Sequence, residues 1–584
     1  MLGDLPVWDL SDLYQSHDDK KITSDIKNVK SISKTFLEKY KGNLETLNSS
    51  ELNEAINYYE QINQILGKLY SYASLSFAIN TDKAEYGQHY QKIKELGSEI
   101  YAQLVFFELE IMNLSKKSSQ DHLANKYLKK WSPWLRRIFD RKPYQLSSDL
   151  EQFIAEKGPS GREAWVRLFD ESSSDLRFRF RDEILSETEV LNLLSDPDPE
   201  IRKDAGLIFS NVLNQNKRTR SLIINTISRD KFIEDNKRGF KNPISSRNLD
   251  NDVEDDVVTA LAMAVTNRFS DLSHRYYALK AKWFDKEKLN WWDRNAPIPS
   301  KPSQKWTWNE AKNIVLNSFS ELSPEIEHIA KKFFDNNWID AKIRNGKDSG
   351  AFSHPCVPDV HPYILMNYNG KSRDVMTLAH ELGHGVHQVL SSENGYFLSD
   401  TPLTLAETAS VFGEMLVFQN LLSQTDTKNK KSMIAEKVED MLNTVVRQIA
   451  FHNFETEFHN RRKQSELTPD QISEIWMDTQ SAALGESIYL DESYKPLWSY
   501  IPHFIHTPFY VYAYAFGDCL VNSLWQVRLS GKSNFTDLYL NLLKSGGKFH
   551  HKEALAPFSL NASDPEFWNK GLDTISSLID ELET

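Results

Sequence analysis

Apolar side chains recur at intervals of three and four residues through the segment 50–79. They are Leu52, Ile56, Tyr59, Ile62, Leu66, Leu69 and Ala73. On an α-helix this spacing puts all of them on one face, behind Ser50 as a candidate N-cap. Residues 572–582 repeat the pattern after Asp564 and Pro565, which suit the N-cap and first position of a helix. With 22 Gly and 21 Pro in 584 residues, little interrupts such helices, so the sequence predicts a mainly α protein.

A chain of 584 residues is too long for one hydrophobic core, so several packed units are expected. The segment LLSDPDPEIRKD, near residues 190–205, combines proline with clustered charge and is typical of a boundary. The predicted division is an N-terminal helical domain over residues 1–200 and a second domain over residues 201–584.

The charge balance argues against two classes of partner. A formal net charge of -13 and a pI of about 5.7 disfavour binding to nucleic acid or to an anionic membrane surface. The two cysteines, Cys356 and Cys519, cannot form a disulfide framework and suit a reducing compartment. The first residues lack the features of a secretory signal, and no apolar run approaches the roughly 20 residues that span a bilayer. We therefore expect a cytoplasmic protein.

Two segments rich in Gly or Pro interrupt the helical pattern. Residues 291–306 are predicted to form a surface loop between helices. Residues 343–372 surround the short apolar run from Tyr363 to Tyr368, which we predict to be a β-strand.

The segment RDVMTLAHELGHGVHQVLS contains the motif HExxH, formed by His380, Glu381 and His384. Asp374 is a candidate cap for its helix. Positions i and i+4 share a helical face, so both imidazoles can reach one metal ion while Glu381 faces a water molecule. The alternative is a helix whose histidines face only solvent or the core, but HExxH arises by chance in only roughly a few of a hundred such sequences. The motif predicts a metal centre with Glu381 as the general base.

A catalytic zinc site uses three protein ligands and keeps a fourth position open. The longer pattern HExxHxxGxxH is absent, because the chain has His387 and Leu390 where that pattern needs glycine and histidine. His387 lies one turn beyond the motif and is better placed to line the cleft or to support the ligands.

The third ligand is expected further along the chain. Glu393 is too close, because the chain must first leave the metal helix and return. Glu407 and Glu414 remain, both in the segment 403–422, which is predicted to form a second helix. Glu407 is favoured because its small neighbours permit close helix approach, and Glu414 remains the alternative, with a supporting role. These neighbours are Ala406, Thr408, Ala409 and Ser410.

Together these segments resemble the oligoendopeptidase F branch of the thimet oligopeptidase family of zinc peptidases. The resemblance covers nearly the whole chain and rests on WDLSDLY, GKDSGAFS, PYILMNY, TLAHELGHGVH, LAETASVFGE, IPHFIHTPFYVYAYAFG and LLKSGG. It implies a multi-helix zincin-like peptidase with a deep central channel and a small β-sheet near the metal helix. Residues 1–200 would cover this channel, and residues 201–584 would carry the catalytic site.

The same resemblance assigns the metal site. It implies one Zn²⁺ per chain, bound by His380, His384 and Glu407, with Glu381 as the general base.

The aromatic segment 501–517 resembles the part of the family that supplies a histidine followed by tyrosines. Such groups can donate hydrogen bonds to the oxyanion that forms when water attacks a peptide carbonyl. Thr507 and Pro508 are predicted to begin a helix, with His503 and His506 in the loop before it. The resemblance places the functional histidine at His503, with His506 as the alternative.

Three tyrosines follow on the predicted helix. The resemblance favours Tyr510 as the oxyanion donor, with Tyr512 and Tyr514 as rivals. One helix cannot direct all three rings at one point, so at least one of them is expected in the hydrophobic core.

These features predict a zinc-dependent metalloendopeptidase that hydrolyses internal peptide bonds of short unstructured oligopeptides. The strand from Tyr363 to Tyr368 would either pair with an extended substrate or serve only as a structural strand. The alternatives are a zinc carboxypeptidase or dipeptidyl carboxypeptidase, and a non-catalytic peptide-binding protein. The expected partners are short peptides, and the sequence leaves the oligomeric state and the cleavage preference undefined.

Overall fold

The protein is represented by a computed structural model that describes residues 2–298, 305–425 and 427–584. Within these residues the α-helices, in chain order, are α1 (Lys20–Tyr40), α2 (Ser49–Ala78), α3 (Ala84–Leu104), α4 (Phe106–Asn113), α5 (Lys116–Ala124), α6 (Ser132–Arg141), α7 (Ser148–Lys157), α8 (Arg162–Ser174), α9 (Glu187–Leu193), α10 (Pro199–Arg238), α11 (Ser245–Asp250), α12 (Asp255–Asn267), α13 (Arg275–Trp283), α14 (Trp308–Leu322), α15 (Pro324–Asp335), α16 (Ser372–Ser391), α17 (Tyr396–Ser399), α18 (Leu403–Ala406), α19 (Ser410–Gln424), α20 (Thr427–Thr444), α21 (Val446–Arg462), α22 (Pro469–Leu484), α23 (His503–His506), α24 (Tyr512–Leu529), α25 (Phe535–Ser545), α26 (His551–Leu555) and α27 (Pro565–Glu583). The strands are β1 (Phe178–Phe180), β2 (Glu183–Leu185), β3 (Leu289–Asn290), β4 (Ile339–Asp340), β5 (Phe352–His354), β6 (Tyr363–Leu365) and β7 (Ile488–Tyr489). The expected mainly α fold with small sheets is confirmed.

The predicted loop over residues 291–306 lies partly within the described residues. Its first residues form a short 3₁₀ helix, Trp291–Asp293, and residues 299–304 lie outside the described residues.

The chain forms two compact units, and each is built from three separate segments. The first unit contains Met1–Lys142, Pro302–Gln424 and Gly531–Phe558, and the second contains Pro143–Lys301, Thr425–Ser530 and Ser559–Thr584. These units do not coincide with a division into residues 1–200 and 201–584, because the chain leaves each unit and later returns to it.

The core of the first unit includes the predicted face of α2. Six of the seven predicted positions are fully buried, and Leu66 packs partly buried against the same cluster. The helix begins two positions earlier than expected, because Asn48 and not Ser50 is the N-cap. The Asn48 side chain accepts from the backbone of Glu51, and the Glu51 carboxylate accepts from the backbone of Asn48. This capping box satisfies two otherwise free N–H donors.

The predicted C-terminal helix is confirmed in the second unit. The carboxylate of Asp564 accepts from the backbone N–H of Glu566 at 3.0 Å, and Pro565 opens α27. The apolar stripe is buried, and α27 packs against α24 and α12. The stripe comprises Leu572, Ile575, Ile579 and Leu582.

A three-stranded sheet packs beside α16 in the first unit, in the order β4, β6, β5. The strand predicted from Tyr363 to Tyr368 is confirmed for its first three residues, which form β6. β6 is central, parallel to β4 and antiparallel to β5. The hypothesis that it pairs with an extended substrate is therefore wrong, because both of its edges are already occupied. The alternative, a structural strand, applies.

Among the described helices, none combines the length and the apolar character that crossing a bilayer requires.

Candidate metal centre

Helix α16 presents two histidines on one face toward a single carboxylate. The Nε2 atom of His380 lies 3.5 Å from Oε2 of Glu407, and the Nε2 atom of His384 lies 3.4 Å from the same oxygen. The three donor atoms all lie within 4.8 Å of one another. Two imidazole nitrogens and one carboxylate oxygen at this separation suit an ion with ligand bonds of about 2 Å. The residues present therefore fit one zinc-type ion.

The start of α16 differs slightly from expectation. Lys371 occupies the N-cap position, and Asp374 lies in the first turn. The Asp374 carboxylate accepts from the backbone N–H groups of Lys371 at 3.0 Å and Asn369 at 2.8 Å. It thus anchors the chain entering the metal helix.

Glu407 lies at a break between two helices and not within one. The helix predicted over residues 403–422 divides into α18, which ends at Ala406, and α19, which begins at Ser410. The Ser410 hydroxyl donates to Oε2 of Glu407 at 2.6 Å. The break and this hydrogen bond together fix the carboxylate opposite the two histidines.

Gly383 lies between the two histidines, where α16 passes close to the break. A Cβ atom on Gly383 would lie 2.5 Å from the carbonyl oxygen of Ala409 and 2.6 Å from Cα of Ser410. Only glycine permits this approach, which brings the Glu407 segment to the ligand face of α16. The small residues around Glu407 serve the close packing that the sequence predicted.

We expect Gly383→Ala to destabilise the first unit by about 1–3 kcal/mol, because backbone atoms on both sides must shift. The measurement is thermal unfolding followed by circular dichroism, together with zinc content. The matched control is Gly97→Ala in α3, where nothing lies within 4 Å of the added methyl group. That variant should be stabilised by about 0.5–1 kcal/mol. Equal melting temperatures for the two variants would contradict the proposed close approach.

Glu414 contacts the other nitrogen of His380. Its Oε2 lies 3.4 Å from Nδ1 of His380, whereas Nε2 of the same ring faces Glu407. A carboxylate on the second ring nitrogen fixes the tautomer and orientation of a ligating histidine. The geometry therefore groups Glu407, and not Glu414, with the two histidines.

Glu381 is buried on the same helix, with 6% of its surface exposed. Burial raises the pKa of its carboxyl, although His380 and His384 oppose this effect. The carboxylate also accepts a hydrogen bond from the backbone N–H of Ser353 in β5. The carbonyl oxygen of Ser353 also accepts a hydrogen bond, from Nε2 of Gln388 at 3.3 Å. β5 thus holds the side chain of Glu381 in place.

At the metal centre, the charges of neighbouring groups oppose the effect of burial on each pKa. Burial alone would raise the pKa of Glu407, but the hydrogen bond and charge of His384 lower it to about 2. Burial alone would lower the pKa of His380, but Glu414 and Glu407 raise it to about 9. A metal ion must therefore displace a proton from His380, so metal affinity should fall as the pH is lowered.

His387 lies outside this group of donor atoms. It is buried, and burial lowers the pKa of its ring to about 4. Its Nε2 lies 3.3 Å from the hydroxyl of Thr401. With His384 and Gln388, it lines a cavity of about 510 Å³ within the first unit. The remaining wall includes aromatic residues, among them Trp338, together with prolines, valines and polar residues.

The aromatic segment 501–517, in the second unit, departs from the predicted helix. His503 and His506 form the short helix α23, and α24 begins only at Tyr512. Between them Phe509 has a positive φ of 63°, and its backbone N–H donates to Oε1 of the buried Glu455 at 2.8 Å. Pro508 therefore does not open a helix. The contact with Glu455 was not predicted, because Glu455 lies far from Phe509 in the sequence.

The tyrosines of this segment have different environments. Tyr512 is fully buried, and its hydroxyl accepts from Nδ2 of Asn251 at 2.8 Å, which places it in the core. Tyr510 stacks on His503 with ring centroids 6.0 Å apart. The hydroxyl of Tyr514 lies 3.2 Å from Nε2 of His503. The structure thus gathers His503, Tyr510 and Tyr514 in one cluster.

The side chain of His506 contacts Asp170. Its Nε2 lies 2.6 Å from Oδ1 of Asp170, and both side chains are well exposed.

Two supporting residues at the metal centre were not predicted as such. Ser410 was considered only for its small size, and Ser353 only as part of the motif GKDSGAFS. Both roles depend on contacts between segments that are distant in sequence.

Comparison with known proteins agrees with this geometry. The sequence profile of Peptidase family M3 matches residues 192–574, and that of the Oligopeptidase F N-terminal region matches residues 110–178. Oligopeptidase PepF of Bacillus subtilis is 27% identical over 99% of this chain and 87% of its own length. An oligoendopeptidase F homolog of Borreliella burgdorferi is 28% identical over 94% and 92%.

Solved structures support the fold. A crystal structure of a Chlamydophila abortus protein matches with a TM-score of 0.88 at 25% identity, covering 99% of this chain and 97% of that chain. The structure of oligoendopeptidase-F from Enterococcus faecium matches with a TM-score of 0.73 at 21% identity, covering 97% and 98%.

The helical fold and the HExxH centre define a metallopeptidase. The chain belongs to Peptidase family M3, in its oligoendopeptidase F branch, and is a metalloendopeptidase that hydrolyses oligopeptides.

Proposed function

We propose that this enzyme uses one Zn²⁺ per chain, held by His380, His384 and Glu407, to cleave internal bonds of short unstructured peptides. The observation that carries the proposal is the set of three donor atoms within 4.8 Å of one another. This donor set, with one carboxylate and two imidazoles, is typical of catalytic zinc. Bound zinc would supply Lewis-acid chemistry, polarising the scissile carbonyl and making a nearby water more acidic.

In this proposal Glu381 moves the proton. Its carboxylate takes a proton from the attacking water and later delivers it to the nitrogen of the leaving amine. Burial supports the role because it raises the pKa of the carboxyl towards the range in which a group can both accept and donate. The hydrogen bond from Ser353 keeps the side chain in one rotamer during the transfer.

His503 and Tyr510 are proposed to stabilise the oxyanion by donating hydrogen bonds. Their stacking supports this assignment, and the contact between His503 and the Tyr514 hydroxyl makes Tyr514 the main rival. Tyr512 is a poor candidate because its hydroxyl is already bonded to Asn251 in the core.

We expect Tyr510→Phe to lower kcat by about a hundredfold with little change in KM, because it removes one donor to the transition state. Tyr514→Phe tests the rival in the same assay. Tyr512→Phe is the matched control: it should lower the melting temperature and leave kcat almost unchanged. Full activity of both Tyr510→Phe and Tyr514→Phe would remove this segment from the reaction.

The cavity of about 510 Å³ beside His384 supports the proposal that the substrate is a peptide. Its volume lies within the usual range of about 300–1,000 Å³ for ligand pockets. Its wall combines aromatic residues, such as Trp338 and Phe397, with polar groups. We propose that it receives a side chain next to the scissile bond.

One experiment distinguishes the proposed endopeptidase activity from two other functions. A zinc carboxypeptidase or dipeptidyl carboxypeptidase needs a free C-terminus, and a peptide-binding protein releases no products. We expect a peptide acetylated at its N-terminus and amidated at its C-terminus to be cut at an internal bond, with both fragments identified by mass spectrometry. Cleavage only of the unblocked peptide would favour the exopeptidase.

A cytoplasmic location is also part of the proposal. Cys356 and Cys519 are both free, which suits a reducing compartment. The net charge of -13 remains the argument against nucleic acid and anionic membranes as partners.

A further inference from the structure

Two arginines in the second unit have no carboxylate partner among the described residues. Arg294 follows the short helix Trp291–Asp293, and Arg447 lies in the first turn of α21. In the described part of the chain, neither guanidinium has a carboxylate oxygen within 4.0 Å. Nε of Arg447 is buried and has no acceptor among the described residues.

Neighbouring cations are paired, which makes these two unusual. Buried Lys280 is paired with Glu439, and both Arg202 and Lys286 are paired with Asp293. Glu439 also attracts Arg294 at longer range, but its ion pair is with Lys280. Removing positive charge from water without a nearby counter-charge costs free energy. An anion bound close to the two guanidiniums would lower this cost.

Arg294 and Arg447 line one small cavity. Its volume is about 40 Å³, which exceeds the roughly 10–15 Å³ needed for one water molecule. The polar lining also includes Asn295 and Tyr500, and aromatic and leucine side chains, among them Trp476, form the rest of the wall. The Arg447 guanidinium donates to the Tyr500 hydroxyl at 2.8 Å and still has its Nε–H unused.

We propose that this cavity, the Arg294–Arg447 pocket, binds a small monovalent anion: a halide ion or a single carboxylate group. Two guanidiniums provide charge and directed N–H donors, which is the recognition chemistry of such anions. The volume admits a halide or one carboxylate and excludes a nucleotide or a lipid headgroup.

The pocket is linked to the aromatic segment of the same unit. Arg447 donates to Tyr500. Burial lowers the pKa of His503, and the charges of His506 and Arg447 lower it further. An anion at Arg447 would offset this charge and fix the guanidinium. A carboxylate in this pocket would be the C-terminus of a peptide. This assignment rests on the proposed function, whereas halide binding does not.

The direct test uses the wild-type enzyme. Crystals grown in sodium bromide should show an anomalous peak between Arg294 and Arg447. Replacing gluconate with chloride at constant ionic strength should raise Tm by about 2 °C or more, because a ligand that binds only the folded state stabilises it.

The second test distinguishes the source of the anion. If a peptide carboxylate occupies the pocket, a peptide with a free C-terminus should have a KM about tenfold lower than its amide. Arg447→Gln should remove both that difference and the chloride effect. Arg218→Gln, which removes one exposed charge of the same unit, should retain both effects.

The outcomes are distinct. A bromide peak with a chloride-dependent Tm supports a halide site, and the acid-to-amide difference supports a carboxylate site. Should Arg447→Gln fail to fold, the wild-type crystal and the two peptides decide the question. No bromide peak together with equal KM values for acid and amide overturns the proposal. Failure to cleave any peptide would contradict the proposed function while leaving the bromide result valid.

Discussion

Glu381→Gln is expected to retain zinc and to lose peptide hydrolysis by about a thousandfold or more. The amide has the shape of the carboxylate and can still accept the N–H of Ser353, so the local structure should persist. It cannot take a proton from water, and general-base catalysis contributes about a hundredfold to ten-thousandfold in rate. The measurement is kcat on an internally quenched peptide, with elemental analysis of zinc on the same preparation.

The matched control for this variant is Glu393→Gln. Glu393 lies just after the metal helix and is exposed. Glu393→Gln removes the same charge as Glu381→Gln without contacting the metal centre. It should retain wild-type activity. If Glu381→Gln kept a tenth of the activity or more, another group would have to be the base.

Glu407→Ala is expected to lose both zinc and activity, whereas Glu414→Ala should retain most of its zinc. A ligating carboxylate supplies charge directly to the ion, while a carboxylate behind a ligating histidine changes metal affinity by about ten- to a hundredfold. Zinc titration of both metal-free variants, followed by the peptide assay, measures the difference.

The two glutamates form an internal comparison, because both contact His380 but at different nitrogens. Loss of zinc from Glu414→Ala with retention by Glu407→Ala would reverse the assignment. Equal loss would mean that the orientation of His380 matters as much as the third ligand.

Local sequence patterns predicted those features that local geometry determines. The buried face of α2 follows from the 3.6-residue period, since Leu52, Ile56 and Ile62 must share one side. For the same reason, the HExxH spacing predicted that His380 and His384 would face one point. Neither inference needs information from another part of the chain.

Features that depend on distant contacts were not predictable in this way. The break at Glu407 occurs in a segment whose composition suits a continuous helix, and it is stabilised by packing against Gly383. Likewise, Thr507 and Pro508 are typical of a helix start. Phe509, however, adopts a left-handed conformation, and its N–H is bound by Glu455.

The expected domain boundary does not separate the two compact units, for a related reason. The Pro-rich segment near residue 197 is a turn inside the second unit, where Asp198 caps α10 and Pro199 opens it. Composition marks such a turn but does not distinguish it from a linker between domains. The return of the chain to each unit has no local signature at all.

Metal-dependent cleavage of the doubly blocked peptide by the wild-type enzyme tests the proposed zinc site most directly. We expect internal cleavage that a chelator abolishes and that Zn²⁺ restores at one equivalent per chain. Undiminished cleavage after the zinc has been removed, verified by elemental analysis, would contradict the assignment of His380, His384 and Glu407 as a catalytic zinc site.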